Sequence, residues 1–193
     1  INRGNLSKIF GELFMLIEAD KRGNDIQLLY SSDKFSVPKN IYIIGIGSAS
    51  VLASALNINL RMIFDNVRFI VASSATEIYE QIISIGEGDV MVAISFPRYS
   101  KKVVSAVNLA KKSGADVIAL TDSAASPIAS LADQNLFARS DMASFADSLV
   151  APLSVINALV VEVSRRKQDE LTVRLRQLEQ IWEEYNVYDT NQG

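Results

Sequence analysis

Two hydrophobic patterns alternate along this chain. Short, almost wholly apolar runs read as strands covered on both faces, and longer stretches place apolar residues at helical spacing. The runs Ile41–Ile44 (IYII), Val67–Ala72 (VRFIVA), Val90–Ile94 (VMVAI), Asp116–Leu120 (DVIAL) and Asn135–Ala138 (NLFA) predict five strands, the last at a sheet edge. Val51–Phe64, Thr76–Ile85 and Lys101–Ser113 predict the helices between them. In the third, Val103, Val104, Val107 and Ala110 share one face, and Gly114 stands where a C′ glycine belongs. A short helix is expected between the Thr121–Ser126 loop and the fifth strand. Strand–helix alternation of this kind implies an α/β domain with a parallel sheet and right-handed crossovers. Ligands of such sheets sit beyond the carboxyl ends of the strands. The loops Gly45–Ser50, Ser95–Ser100 and Thr121–Ser126 all lie there.

The two ends read as helical. Leu6–Ala19 carries Leu6, Ile9, Phe10, Leu13, Phe14, Leu16 and Ile17 on a broad apolar face, and Asn24–Tyr30 reads as a second short helix. Residues 1–40 are therefore expected to form a helical segment packed on the domain or on a dimer partner, with 41–193 as the domain proper. After a small, polar stretch at Ser140–Ala146, a long helix begins near Asp147 with Leu149, Val150, Leu153, Ile156, Leu159, Val160 and Val163 along it. Pro152 fits that helix only in its first turn or at a kink. A break is expected within Arg165–Asp169, after which Leu171, Leu175, Leu178, Ile181 and Trp182 continue the apolar face. The Leu6–Ile17 and Val150–Val163 faces are broader than a monomer needs, which predicts dimerisation through them.

Composition narrows the function. With 193 residues and 49% apolar content the chain can bury a full core. Its apolar runs are too short to cross a bilayer and no signal peptide is visible, so no membrane partner and a cytoplasmic location are expected. Without cysteine it has no disulfides and no thiolate metal site. The lack of histidine says more, because it removes the commonest general acid/base and the commonest metal ligand. No metal and no cofactor are expected. A net charge of −3 with no basic stripe argues against a stand-alone nucleic-acid binder. The start at Ile1 suggests a fragment that has lost an N-terminal domain.

The first loop, Gly45-Ile46-Gly47-Ser48-Ala49-Ser50, joins a strand to a helix N-terminus, a phosphate-binding geometry. The dinucleotide fingerprint would need glycine at position 50, where Ser50 stands, and only Asp65 could serve as its later acidic residue. A tight turn of small residues is one alternative. A small anion held by Ser48, Ser50 and backbone amides is the favoured one. Ser74 and Glu77 have capping-box spacing and read as structural.

The run SFPRYSKKVVSAVNLAKKSGADVIALTDSAASPIASLADQNLFA, with IYIIGIGSASVLA before it, resembles the SIS (sugar isomerase) domain of RpiR/MurR-type bacterial transcriptional regulators. ALTDS…SPIASLAD is its most specific part, and the resemblance runs from about Ile41 to Val187. It implies a three-layer, flavodoxin-like fold with a five-stranded parallel sheet of order 2-1-3-4-5, and a homodimer or possibly a tetramer. It also implies a phosphorylated sugar or similar small anion as ligand, and DNA contact only through an N-terminal helix-turn-helix domain. The family's phosphate loops read G-x-G-x-S and S-x-S-G-x-T. Here Ala49 holds the first serine position between Ser48 and Ser50, and Pro97 and Arg98 replace the second loop's inner serine and glycine. Ser95 and Ser100 match its ends. Arg98 either grips phosphate or carboxylate or faces solvent, and Tyr99 either stacks on the ligand or covers the helix start. Thr121 and Ser123 complete the candidate ligand residues.

The alternative is a sugar-phosphate aldose–ketose isomerase. That reaction needs a base to carry a proton between carbons, and this chain offers no histidine, only carboxylates such as Glu77, Glu80 or Glu87 with capping, surface or turn readings. A sensor needs only differential affinity between two conformations. An effector-binding domain without catalytic residues is therefore the expectation.

Overall fold

The computed structural model describes residues 38–140 and 148–188. The helices expected at Leu6–Ala19 and Asn24–Tyr30 lie outside the described residues, as does most of Ser140–Ala146. In chain order the elements are β1 (Ile41–Gly45), α1 (Ala49–Ile63), β2 (Val67–Ile70), α2 (Ala75–Ile82), β3 (Val90–Ile94), α3 (Lys101–Lys112), β4 (Asp116–Thr121), β5 (Gln134–Phe137), α4 (Val150–Arg166) and α5 (Gln168–Glu184). The sheet is parallel throughout and runs β2-β1-β3-β4-β5, as the resemblance implied.

Period-two alternation along the strands separates two apolar layers. Ile41, Ile43, Val92, Ile94, Ile118, Leu120 and Leu136 face one side, against Leu52, Leu56 and Leu60 of α1 and Ile156, Leu159 and Val163 of α4. Tyr42, Ile44, Met91, Ala93, Val117 and Ala119 face the other, against Ile78 and Ile82 of α2 and Val103, Ala106, Val107 and Ala110 of α3. Both faces of the central strands are thus sealed, which is why their sequence reads as continuous apolar runs.

Two expectations change in detail. β2 stops at Ile70 because the side-chain amide of Gln81 brackets Val71, accepting from its N–H at 3.2 Å and donating to its carbonyl at 2.8 Å. The short helix expected between β4 and β5 is a chain of turns, with the Ser126 amide bonded to Ser123 O and the Ala129 amide to Ser126 O. Pro127 has no N–H to extend a helix there, and Ile128 plugs the lower apolar layer. In α4, Pro152, Ile156, Leu159 and Val163 line the domain's own core, while Val150, Leu153 and Val161 stay exposed. Pro152 falls in the first turn of α4, and the expected break comes at Lys167, whose ψ is 26°.

Polar staples hold the sheet's amino-terminal edge. Asp89 accepts from Asn40 at 2.8 Å and from the Gly86 amide at 2.9 Å. Asp133 accepts from the Val117 amide at 2.7 Å and from Lys111 Nζ at 2.5 Å. Burial alone would raise the Asp133 pKa, but Lys111 and the amide outweigh it and hold the carboxyl below its ordinary value. A carboxyl lowered in this way stabilises the fold above its unfolded pKa of about 4, and that contribution is lost as pH falls through the folded value. Asp133→Ala should cost about 1 kcal/mol in urea unfolding at neutral pH. The difference from the parent chain should shrink as the solution is acidified below pH ~4.

Candidate functional site

Three loops leave the sheet side by side at its carboxyl rim. Gly45 pairs with Ile94, and Ile94 with Leu120, so the segments after β1, β3 and β4 start in one row. The strand order reverses between β1 and β3, the kind of switch point where ligands of open parallel sheets bind.

The first loop is built on a close approach. A Cβ on Gly45 would sit 2.5 Å from the Ala49 carbonyl oxygen and 3.0 Å from Ala53 Cβ, so only glycine lets α1 begin this near the strand. Gly47 takes a positive φ of 68° to turn the chain. Ser48 is exposed at the N-cap of α1. Ser50 donates its hydroxyl to Gly47 O at 2.7 Å, and its amide bonds the same oxygen. Gly45, Gly47, Ser50 and Ser54 line a cavity of about 670 Å³, whose other walls are apolar: Val51 and Ile58 from α1, with Phe69 and Val71 from β2 and beyond. Its size falls within the range of small-molecule sites.

The second loop follows β3. Ser95 is buried, its amide donating to Leu120 O at 3.1 Å. Phe96 packs into the upper core, whereas Pro97 and Arg98 are exposed. Arg98 has a φ of 69°, a left-handed value where a glycine would be unstrained. Ser100 is the N-cap of α3, without a side-chain capping bond.

The third loop explains how the second is held. Tyr99 donates its hydroxyl to Asp122 Oδ1 at 2.8 Å. Thr121 donates to the same oxygen at 3.2 Å, and Ser123 to Oδ2 at 3.2 Å. Three of the candidate hydroxyls therefore converge on one carboxylate. Through that bond Tyr99 ties the second loop to the third. Burial first, then the hydrogen bond and charge of Asp122, push its phenol above the ordinary value, with Ser123 opposing weakly.

The structure thus brings Tyr99, Thr121 and Ser123 together, and sets Ser50 apart in the cavity beside β1. Ser95, Arg98 and Ser100 are not among that cavity's lining residues. Asp122 is the group that sequence reasoning passed over. It stands between two candidates at a strand end, but a carboxylate is not sought in an anion site. Among the described residues, no cluster of three or more acidic side chains is placed to hold a metal ion. No helix among them is long and apolar enough to cross a membrane.

The profile of the SIS domain family matches residues 34–162, more than half of the chain. The chain belongs to the SIS domain family. Over 103 residues this SIS chain is 34% identical to an uncharacterised HTH-type transcriptional regulator of Caldanaerobacter subterraneus, a match covering 51% of the chain and 36% of that protein. The chain therefore spans about a third of that relative's length. The sugar isomerase domain of the RpiR transcription factor from Sphaerobacter thermophilus superposes with a TM-score of 0.73 at 22% identity, over 91% of this chain and 96% of that one. NanR of Vibrio vulnificus, solved in complex with ManNAc-6P, superposes at 0.64 and 23%, over 76% of this chain and 56% of that one. These likenesses show the SIS fold. A 51-residue stretch is 55% identical to part of the Type IV methyl-directed restriction enzyme EcoKMcrB subunit of Escherichia coli, covering 24% of the chain but only 11% of that enzyme. So small a part of that enzyme carries none of its activity into this reading.

Two outcomes follow for the SIS rim. Gly45→Ala should destabilise the domain by roughly 1–3 kcal/mol in urea unfolding, because the new methyl overlaps the Ala49 carbonyl. Asp122→Asn should move the Tyr99 phenol down toward its ordinary value, seen as one tyrosine ionising earlier in an ultraviolet titration. A phenol raised in the fold stabilises below its unfolded pKa of about 10, so in the parent chain this contribution is lost as pH climbs through the folded value.

Proposed function

We propose that this SIS domain is the effector-sensing part of an RpiR-type transcriptional regulator and that it takes a phosphorylated sugar at the crevice between the first and second loops. The observation that carries the reading is the row of hydroxyl- and amide-bearing loops at one rim of a parallel sheet, in a chain without histidine, whose relative is named an HTH-type regulator. NanR, of the same fold, was solved with a sugar phosphate bound.

The chemistry gives the ligand a direction. A phosphate suits the glycine turn and the α1 N-terminus, where backbone N–H groups and the helix dipole favour negative charge. Ser48, Ser95 and Ser100 supply further donors, with Ser50 joining them by turning its hydroxyl from Gly47 O to the ligand, and Arg98 offers a bidentate partner in place of the family's inner serine. Asp122 repels phosphate but accepts hydrogen bonds, so the sugar hydroxyls turn toward the Tyr99–Asp122 side. No cofactor is needed. Binding acts by favouring one of two conformations in a homodimer, and DNA contact belongs to a helix-turn-helix domain outside these residues. Such a regulator works in the cytoplasm.

No turnover is expected with aldose or ketose phosphates. Glu77, one of the carboxylates open to a base's role, closes the α2 cap, accepting from the Ser73 amide at 2.7 Å while its own amide donates to Ser74. Calorimetry against a panel of hexose, pentose and amino-sugar phosphates tests the reading. At least one should bind, and its unphosphorylated counterpart should bind about tenfold more weakly or worse. Ser100→Ala should weaken the phosphate form several-fold. Failure of every compound, or turnover of any of them, overturns the proposal.

A further inference from the structure

The loops Gly45–Ser50, Ser95–Ser100 and Thr121–Ser126 contain one carboxylate between them, that of Asp122. It stands one residue past the end of β4 and is half-buried, so it is held by the fold and still within reach of solvent. Its surroundings differ from those of Asp133, Asp65 and Glu162, which meet Lys111, Arg174 and the pair Arg165 and Arg166. Asp122 is held by three neutral hydroxyls, and among the described residues no lysine or arginine pairs with it.

Those hydroxyls fill the carboxylate unevenly. Oδ1 accepts from Tyr99 at 2.8 Å and from Thr121 at 3.2 Å, whereas Oδ2 accepts only from Ser123, at 3.2 Å. A carboxylate has about four acceptor sites, so Oδ2 keeps one for a further donor. Neutral donors orient the group but leave its charge without a counterpart in a partly desolvated place. An ammonium supplies both the missing N–H and the opposite charge, and a charge-assisted hydrogen bond is about twice as strong as a neutral one. A sugar hydroxyl supplies only a neutral donor, and an acylated nitrogen supplies the same on a bulkier group.

The two ends of the rim thus ask for different groups. The proposed phosphate lies at the loops after β1 and β3. Asp122 leaves β4, beside β3 and two strand spacings, about 10 Å, from β1. A hexose with its phosphate at one end can reach across that span.

We propose that the effector is zwitterionic, a sugar phosphate that also carries a free amino group, and that Asp122 selects it by pairing with the ammonium. The inference rests on the sensor reading and names the ligand class within it. It is tested by calorimetry at neutral pH on the 193-residue chain, with the 2-amino, 2-hydroxy and 2-acetamido forms of glucose, galactose and mannose 6-phosphate. In at least one series the amine should bind about tenfold more tightly than both counterparts. Asp122→Asn keeps the shape and loses the charge, so it should bring the amine down to the level of the hydroxyl form. Tyr99→Phe spares the carboxylate and should keep the preference. The ligand comparison on the parent chain holds whether or not either variant folds. A neutral form that matches the amine in every series, or a preference that survives Asp122→Asn, overturns this inference and leaves the sensor reading standing. Failure of all nine compounds overturns both.

Discussion

The fit of β1 against α1 at Gly45 sets the position of everything at the rim. A side chain there would collide with the Ala49 carbonyl, so α1 starts almost on top of the strand and its first turn lies close to the switch point. Had the helix stood further off, the glycine turn would be an ordinary loop without convergent donors. The same closeness lets Leu52, Leu56 and Leu60 seal the upper layer. One constraint therefore sets both the packing of that layer and the place of the glycine turn at the rim.

The rim is not a uniform ring of hydroxyls. Its β1 side is a glycine turn walled by serines and apolar side chains, and its β4 side is anchored on the Asp122 carboxylate. The Tyr99 bridge spans the two loops, and the left-handed backbone of Arg98 sits immediately before it. A positive φ at a non-glycine residue costs on the order of 1 kcal/mol or more, and a tie as short as Tyr99–Asp122 is the kind of contact that sustains it.

Much of this was legible beforehand. The strands Val90–Ile94 and Asp116–Leu120 fell where their apolar runs placed them, since residues sealed on both faces carry no competing polar signal. The Ser74–Glu77 cap was readable because its two residues interact locally; only the returning bond differs, reaching the Ser73 amide. What stayed hidden depended on residues distant in sequence. Gln81 ends β2 from a helix away, and Asp122 gathers Tyr99 across the α3 crossover. The family resemblance supplied the strand order, which periodicity alone does not contain.

The Gln81 bracket has a bearing on how copies of this chain can meet. β2 lies at the margin of the sheet, and an open margin invites another chain to add a strand in register. With both backbone groups of Val71 already engaged by a side-chain amide, that margin is blunted where it leaves the sheet. Growth by edge-to-edge stacking at that margin is thereby discouraged, which keeps the sheet from running on into fibres.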